Sequence, residues 1–204
     1  MTSPAATGDP IEQNQSRSWG DIAFHLCGMV AAMPDHDRGG LAGLRRMDPD
    51  DPDTTAFWRL MAGEELLGNP AIERKWGLIL HGIALMTRTA GGDDVASRSA
   101  HNGSMPVGRA LFLGGQSQRA TAFYSEPRLN RLLTARDDML RVLLTRMFRM
   151  SASAGVSFDW REMASFILNE GYDAPKPAAA ALPAITTKRP GAMPNHPKNK
   201  ETIQ

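Results

Sequence analysis

Apolar residues recur along the chain at spacings of three and four, the period of an amphipathic helix. The clearest face follows Pro70 and collects Ile72, Trp76, Ile79, Leu80, Ile83 and Met86. A second face lies at Leu140, Leu143, Leu144 and Met147. We find no convincing strand and no internal repeat. The pattern therefore predicts an all-α protein, a helical bundle of about seven to eight helices in two lobes.

Capping and breaking residues divide this pattern into separate helices. The expected helix starts are Ser18, Asp37, Asp53 or Thr54, Pro70, Pro106, Ser125, Asp137 with Asp138, and Asp159. The expected ends are Pro34, Met47, the glycine pairs 91–92 and 114–115, Gly155 and Gly171. Trp58, Trp76 and Trp160 are expected in the core.

Composition shifts along the chain predict its domain organisation. Residues 1–16 are expected to form a flexible leader without the features of a signal peptide. An N-terminal helical lobe over 17–92 and a C-terminal helical lobe over 106–172 are joined by a glycine- and serine-rich linker loop at 93–105. Residues 173–204 are expected to form a disordered basic tail.

The single cysteine, Cys27, excludes an internal disulfide framework and fits a reducing cytosol. No apolar stretch approaches the length that a membrane span needs, which argues against a membrane partner. The expected location is therefore cytoplasmic.

The sequence does not match the known catalytic and metal-binding motifs. The five histidines lack zinc-ligand spacing, and the acidic turn at 48–53 lacks the glycine and the final glutamate of a calcium loop. The double glycines are not followed by the lysine of a phosphate-binding loop. We expect no enzyme activity, no metal and no cofactor.

Charge is unevenly distributed although the net charge is only +1. Residues 1–70 carry 5 basic and 11 acidic side chains, whereas residues 103–150 carry 8 basic and 3 acidic ones. Nearly all the cations before the tail are arginines, which bind phosphate in a planar, bidentate manner. The pattern fits a nucleic-acid surface, but it fits equally a set of charged helix faces that pair with scattered acids.

Helical spacing separates these arginines from the apolar faces. Arg141, Arg146 and Arg149 fall opposite the leucines of their helix, and Arg128 and Arg131 flank the preceding leucine stripe one turn apart. Arg136 falls in line with those leucines, so we expect it at a helix end or extended along the apolar surface. Arg45 and Arg46 are expected to point outward.

Several short blocks, in order, resemble the CasB family, the small subunit of the type I-E CRISPR Cascade complex. They are residues 41–46 (LAGLRR), 56–60 (AFWRL), 108–111 (GRAL), 125–133 (SEPRLNRLL) and 158–160 (FDW). The resemblance spans about residues 20–170. Pro127 stands where members often have a second arginine, residues 116–124 resemble an insertion, and the tail from Pro175 has no match.

The resemblance implies an all-helical, non-catalytic subunit of an antiviral complex guided by crRNA. Its implied partners are the large subunit, the backbone subunits, a second copy of itself and the displaced single-stranded DNA, whose R-loop it would stabilise. Arg46, Arg109, Arg128, Arg146 and Arg149 match basic positions of the family. The full set of candidate nucleic-acid-binding residues is Arg45, Arg46, Arg74, Lys75, Arg109, Arg128, Arg131, Arg141, Arg146 and Arg149.

Two alternatives to this function remain open. A helical scaffold or adaptor could use its arginine surface for acidic protein partners, and it would not bind nucleic acid. A stand-alone helical DNA-binding regulator would bind a defined duplex site, usually as a symmetric dimer.

Overall fold

The computed structural model describes residues 17–89, 94–114 and 122–169. Within these ranges the chain forms nine α-helices and no strand, which confirms the all-α prediction. The helices are α1 (Trp19–His36), α2 (Arg38–Arg46), α3 (Thr55–Gly63), α4 (Pro70–Met86), α5 (Val95–Arg98), α6 (Val107–Leu113), α7 (Glu126–Thr134), α8 (Asp137–Ser153) and α9 (Trp160–Leu168).

Predicted polar caps begin several of these helices. Ser18, Asp37, Thr54 and Asp159 each accept a hydrogen bond from a backbone N–H in the first turn of α1, α2, α3 and α9, respectively. Such bonds satisfy amide groups that have no partner within the helix. Pro70 occupies the first position of α4, where its missing N–H costs nothing.

Other boundaries differ from the predictions. The first helix continues past Pro34 to His36, because proline removes only its own bond to the preceding turn and the ladder resumes with the bond from the N–H of Asp37 to the carbonyl oxygen of Met33. Helix α4 ends at Met86, before the glycine pair at 91–92. The cap of α8 is Arg136 rather than an aspartate, with Asp137 and Asp138 in the first turn.

The segment predicted as a linker loop contains α5, which the sequence pattern does not reveal. Arg98 at its end is buried, and its guanidinium donates to both carboxylate oxygens of Asp35 on α1, at 2.8 and 2.5 Å. The backbone of Asn102 donates to Phe158, beside an isolated bridge between His101 and Phe158. These long-range contacts, rather than local apolar spacing, order the segment.

One apolar core runs through the described helices. It includes residues of α1 to α4 together with residues of α6 to α9. The principal packing pairs are α1 with α9 and α4 with α8, so helices from both sides of the predicted linker lie against one another. The division into two lobes stays a prediction.

Aromatic rings form the centre where α4, α8 and α9 meet. Phe148, Phe158 and Trp160 are fully buried, and the ring of Trp160 lies 5.2 Å from that of Phe148 and 5.3 Å from that of Phe158. A Cβ at Gly82 would come within 2.7 Å of Phe148 and Trp160, so only glycine lets these rings approach α4.

The tryptophan prediction is correct for two residues and wrong for the third. Trp76 and Trp160 are fully buried, whereas Trp58 is 40% exposed. On α3 the core-facing positions are Ala56, Phe57, Leu60 and Met61, and Trp58 lies on the other side, with its ring at 4.9 Å from that of Phe57.

Some predictions fall outside the described residues: the leader at 1–16, the tail at 173–204, the glycine pair at 91–92 and the stop at Gly171. In the part of the chain that is described, no helix has both the length and the apolar character to cross a membrane.

The close approach at Gly82 leads to a stability prediction. We expect Gly82→Ala to lower the free energy of unfolding by about 1–3 kcal/mol, because the added methyl group displaces buried rings. Gly28→Ala is the matched control, since its Cβ would meet nothing within 4 Å on an exposed helix face. The control should be neutral or stabilising by up to about 1 kcal/mol in urea unfolding. Equal losses in the two variants would contradict the packing.

The buried His81 leads to a prediction about pH. Its Nδ1 lies 3.0 Å from the carbonyl oxygen of Leu44, which ties α4 to α2. Burial lowers the pKa of His81, and the charge of Arg149 acts in the same direction, while the Leu44 carbonyl and Asp48 oppose the shift. The unfolded chain then binds a proton that the folded chain resists, so stability is present above about pH 6.5 and is lost as the pH falls.

We expect the melting temperature to fall between pH 7.5 and pH 5, and to fall less steeply in His81→Gln. Burial also lowers the pKa of His101, so part of the dependence should persist in that variant. His36→Gln removes an exposed imidazole and is the control, and its profile should lie closer to the parent profile than that of His81→Gln. A pH profile in His81→Gln identical to the parent profile would refute this assignment.

Candidate nucleic-acid interface

Helices α7 and α8 present arginines on either side of a shared cleft. Leu129 and Leu132 turn inward on α7, which leaves Arg128 and Arg131 exposed on the solvent side. On α8, the buried face includes Leu143 and its neighbours, and Arg146 is exposed beside it. The amphipathic pattern of each helix therefore fixes where its guanidinium groups lie.

The cleft has a volume of about 310 Å³. It is lined by Tyr124, Arg128, Arg131, Leu143, Arg146 and Met150. We call these six residues the arginine cleft. Three of the ten predicted binding residues thus line one concave surface, although they come from two different helices.

The arginine cleft carries uncompensated positive charge. Within residues 17–89, 94–114 and 122–169, no carboxylate forms an ion pair with Arg128, Arg131 or Arg146. Several other arginines are paired there with acids: Arg17 with Glu64, Arg59 with Asp37, Arg98 with Asp35, Arg141 with Asp50, and Arg161 with Asp21. Free guanidinium groups in a concave site raise the local concentration of anions.

Tyr124 contributes an aromatic ring to the lining of the cleft. Its backbone N–H donates to the carbonyl oxygen of Leu111 on α6 at 2.8 Å, and the residue is 7% exposed. Burial raises the pKa of its phenol, and the charge of Arg128 opposes that shift. The phenol is therefore neutral near pH 7, and Arg128 lies close enough to influence it.

Other predicted residues are exposed but do not line the cleft. Arg149 lies on α8 within one turn of Arg146. Arg46, Arg74 and Arg109 are exposed on α2, α4 and α6, respectively. These four side chains form no ion pair among the described residues.

Arg45 does not point outward as predicted. It is half-buried, and it donates from Nε to the carbonyl oxygen of Ala84 at 2.8 Å and from Nη2 to that of Thr87 at 2.6 Å. These carbonyls lie at the C-terminal end of α4, where a cation is favourable. Burial lowers the pKa of Arg45, which remains a cation. Arg45 therefore joins α2 to α4 instead of facing a ligand.

Arg141 and Lys75 are also occupied by the fold. Arg141 forms an ion pair with Asp50 and donates to the carbonyl oxygen of Pro49 at 2.9 Å, so it holds the acidic turn against α8. Lys75 donates from Nζ to the carbonyl oxygen of Leu168 at 2.8 Å, at the end of α9. The helical pattern predicts Arg141 opposite the leucines of α8, and that side of the helix packs against the acidic turn.

Arg136 lies at a helix end, as predicted. It caps α8 and donates from Nη1 to the carbonyl oxygens of Leu133, at 3.0 Å, and Ala135, at 2.6 Å. These contacts hold the turn between α7 and α8.

Sequence reasoning missed the apolar part of the cleft. From the sequence, Leu143 is predicted only as a core residue and Met150 has no predicted role. Tyr124 falls in the segment that resembles an insertion. A residue that lines a cleft between helices gives no periodic signal, because its neighbours are distant in sequence.

The described residues contain no group of three or more His, Cys, Asp or Glu side chains placed to hold a metal ion. The arrangement that they do contain can bind a phosphate-bearing ligand by charge and hydrogen bonding.

Comparison with known proteins gives a family assignment. The family model of CRISPR-associated protein Cse2 matches residues 40–182. The match begins 20 residues later than the resemblance over residues 20–170. It also extends into the tail from Pro175, which the resemblance does not cover. No curated protein and no solved structure matches the chain. Because the family model covers well over half of its length, the chain belongs to the Cse2 family, also called CasB, the small subunit of the type I-E CRISPR Cascade complex.

Proposed function

We propose that this subunit binds nucleic acid through its phosphates, without sequence preference, and stabilises the displaced DNA strand of the R-loop. The observation that carries the proposal is the arginine cleft, where three guanidinium groups converge without an acidic partner among the described residues. A complex that reads its target by base pairing with a guide needs only sequence-independent support for the displaced strand. Arginine contacts with phosphates supply such support.

The proposed binding residues are those that the fold leaves exposed. They are Arg46, Arg74, Arg109, Arg128, Arg131, Arg146 and Arg149. We leave out Arg45, Lys75 and Arg141, because each donates hydrogen bonds that join parts of the fold. Substitution of these three would weaken the protein itself, and a loss of binding would not identify a contact.

We further propose that the subunit has no catalytic activity and acts in the cytoplasm. Its proposed partners in the complex are the large subunit, the backbone subunits and a second copy of itself. Membership of a structural subunit family supports these assignments. The guide RNA and the displaced DNA strand are the proposed nucleic-acid partners.

The scaffold alternative has one observation in its favour. Large apolar side chains are exposed on α1, α3 and α8, among them Met29, Trp58, Met139 and Val142. Such side chains suit contacts with other proteins. A pure scaffold would assemble into the complex and would not bind single-stranded DNA.

The arginine cleft leads to a prediction about salt dependence. Each phosphate contact with a single strand contributes about 0.7 to the slope of log affinity against log salt. Replacing Arg128, Arg131 and Arg146 with glutamine should therefore weaken binding of a thymidine oligonucleotide and reduce that slope by about 2. Fluorescence anisotropy over a series of salt concentrations measures both quantities.

The matched control replaces Arg17, Arg59 and Arg161 with glutamine. It removes the same charge from exposed arginines that are already paired with acids. The control variant should keep most of the parent protein's slope of log affinity against log salt. An equal loss in both triple variants would show that net charge alone governs binding, and no binding by the parent protein would favour the scaffold.

A second prediction concerns the assembled complex. Replacing Arg46, Arg109, Arg146 and Arg149 with glutamine should leave the fold of the subunit intact, since all four side chains are exposed, and co-purification with the other subunits checks assembly. The R-loop should dissociate faster, and its displaced strand should be cut more readily by a single-strand nuclease. An R-loop with the parent lifetime and the parent protection would show that these arginines are not its support.

A further inference from the structure

The arginine cleft combines two kinds of surface. Its charged part consists of the guanidinium groups of Arg128, Arg131 and Arg146. The rest of its lining is Leu143, Met150 and Tyr124, which are apolar or aromatic. A surface that contacts only phosphates has no need of an apolar part, because phosphates remain hydrated beside arginines.

The dimensions of the cleft also limit its ligand. Its volume of about 310 Å³ lies at the small end of the range for small-molecule sites, about 300–1,000 Å³. This volume suits a single unit the size of a nucleotide and is too small to hold a duplex.

We propose that the arginine cleft takes one unstacked nucleotide of a single strand. The phosphates on either side of this nucleotide contact the three arginines, and its base lies against Met150, Leu143 and the ring of Tyr124. The inference rests on the proposed function, and it adds the form of nucleic acid that the site selects.

Selection follows from the state of the base. In a duplex both faces of a base are covered by its neighbours and its edge is paired, so entry into the cleft requires costly unstacking. In a displaced strand the base is already unpaired and unstacked. Contact with the apolar residues then removes one face of the base from water. An apolar surface does not read the edge of the base, so the site tolerates any sequence.

Met150 offers the sharpest substitution. It is half-buried at the edge of the core, and glutamine has nearly its length but a polar end. Met150→Gln therefore keeps the shape and charge of the cleft and makes its surface polar. Met139→Gln is the matched control, because Met139 is exposed on the same helix and does not line the cleft.

The test compares two oligonucleotides with the same number of phosphates, one of thymidine and one wholly abasic. The parent protein should bind the thymidine strand about fivefold more tightly, the low end of the range for contacts with a base. Met150→Gln should lose most of this preference and retain its affinity for the abasic strand. Met139→Gln should behave as the parent protein does.

The outcomes separate this inference from the proposed function. If the parent protein binds both strands equally, the nucleotide site is wrong and phosphate binding stands. If it binds neither strand, the proposed function fails as well. A thermal melt of each variant verifies its folding before binding is compared.

A second measurement does not depend on any variant. A strand carrying 4-thiothymidine, irradiated in complex with the full chain, should form an adduct on Tyr124 or Met150 that mass spectrometry can locate. Adducts confined to residues outside the cleft would overturn the proposal, even if the thymidine strand binds more tightly than the abasic one.

Discussion

The packing of α8 against α4 fixes where the arginines of α8 lie and so determines one wall of the arginine cleft. Gly82 allows the rings of Phe148 and Trp160 to contact the backbone of α4, and this contact sets the rotation of α8 about its own axis. With Phe148 directed inward, Arg146 must lie on the side of α8 that borders α7. A core interaction with no ligand of its own therefore determines where the arginines converge.

The cations of this protein divide according to whether the fold uses them. Arg45 and Lys75 donate to carbonyl oxygens near the ends of α4 and α9, and Arg141 holds the acidic turn. These bonds satisfy carbonyl groups that helices leave unpaired, and the helix dipole favours a cation there. Arg98 is buried in its pair with Asp35, whereas the three arginines of the arginine cleft are exposed and have no acidic partner in the described residues. A count of basic residues therefore overstates the binding surface.

The proposed role fits this division. A subunit that supports a displaced strand must hold phosphates without reading bases, and exposed guanidinium groups do so at a cost in salt sensitivity. The apolar lining of the cleft adds a preference for unpaired nucleotides, which suits the displaced strand of an R-loop. The exposed apolar residues of α1, α3 and α8 leave other faces suited to neighbouring proteins.

The sequence by itself determined eight of the nine described helices, most of their caps, most of the buried faces and the family, because spacing and capping are local and periodic signals. It did not separate Arg45 from Arg46, since both flank the inward leucines of α2 and only the packing of α2 against α4 shows which of the two is covered. It also missed α5, the exposure of Trp58 and the apolar lining of the cleft. Only the tertiary structure decided these points, because each depends on contacts between segments that are distant along the chain.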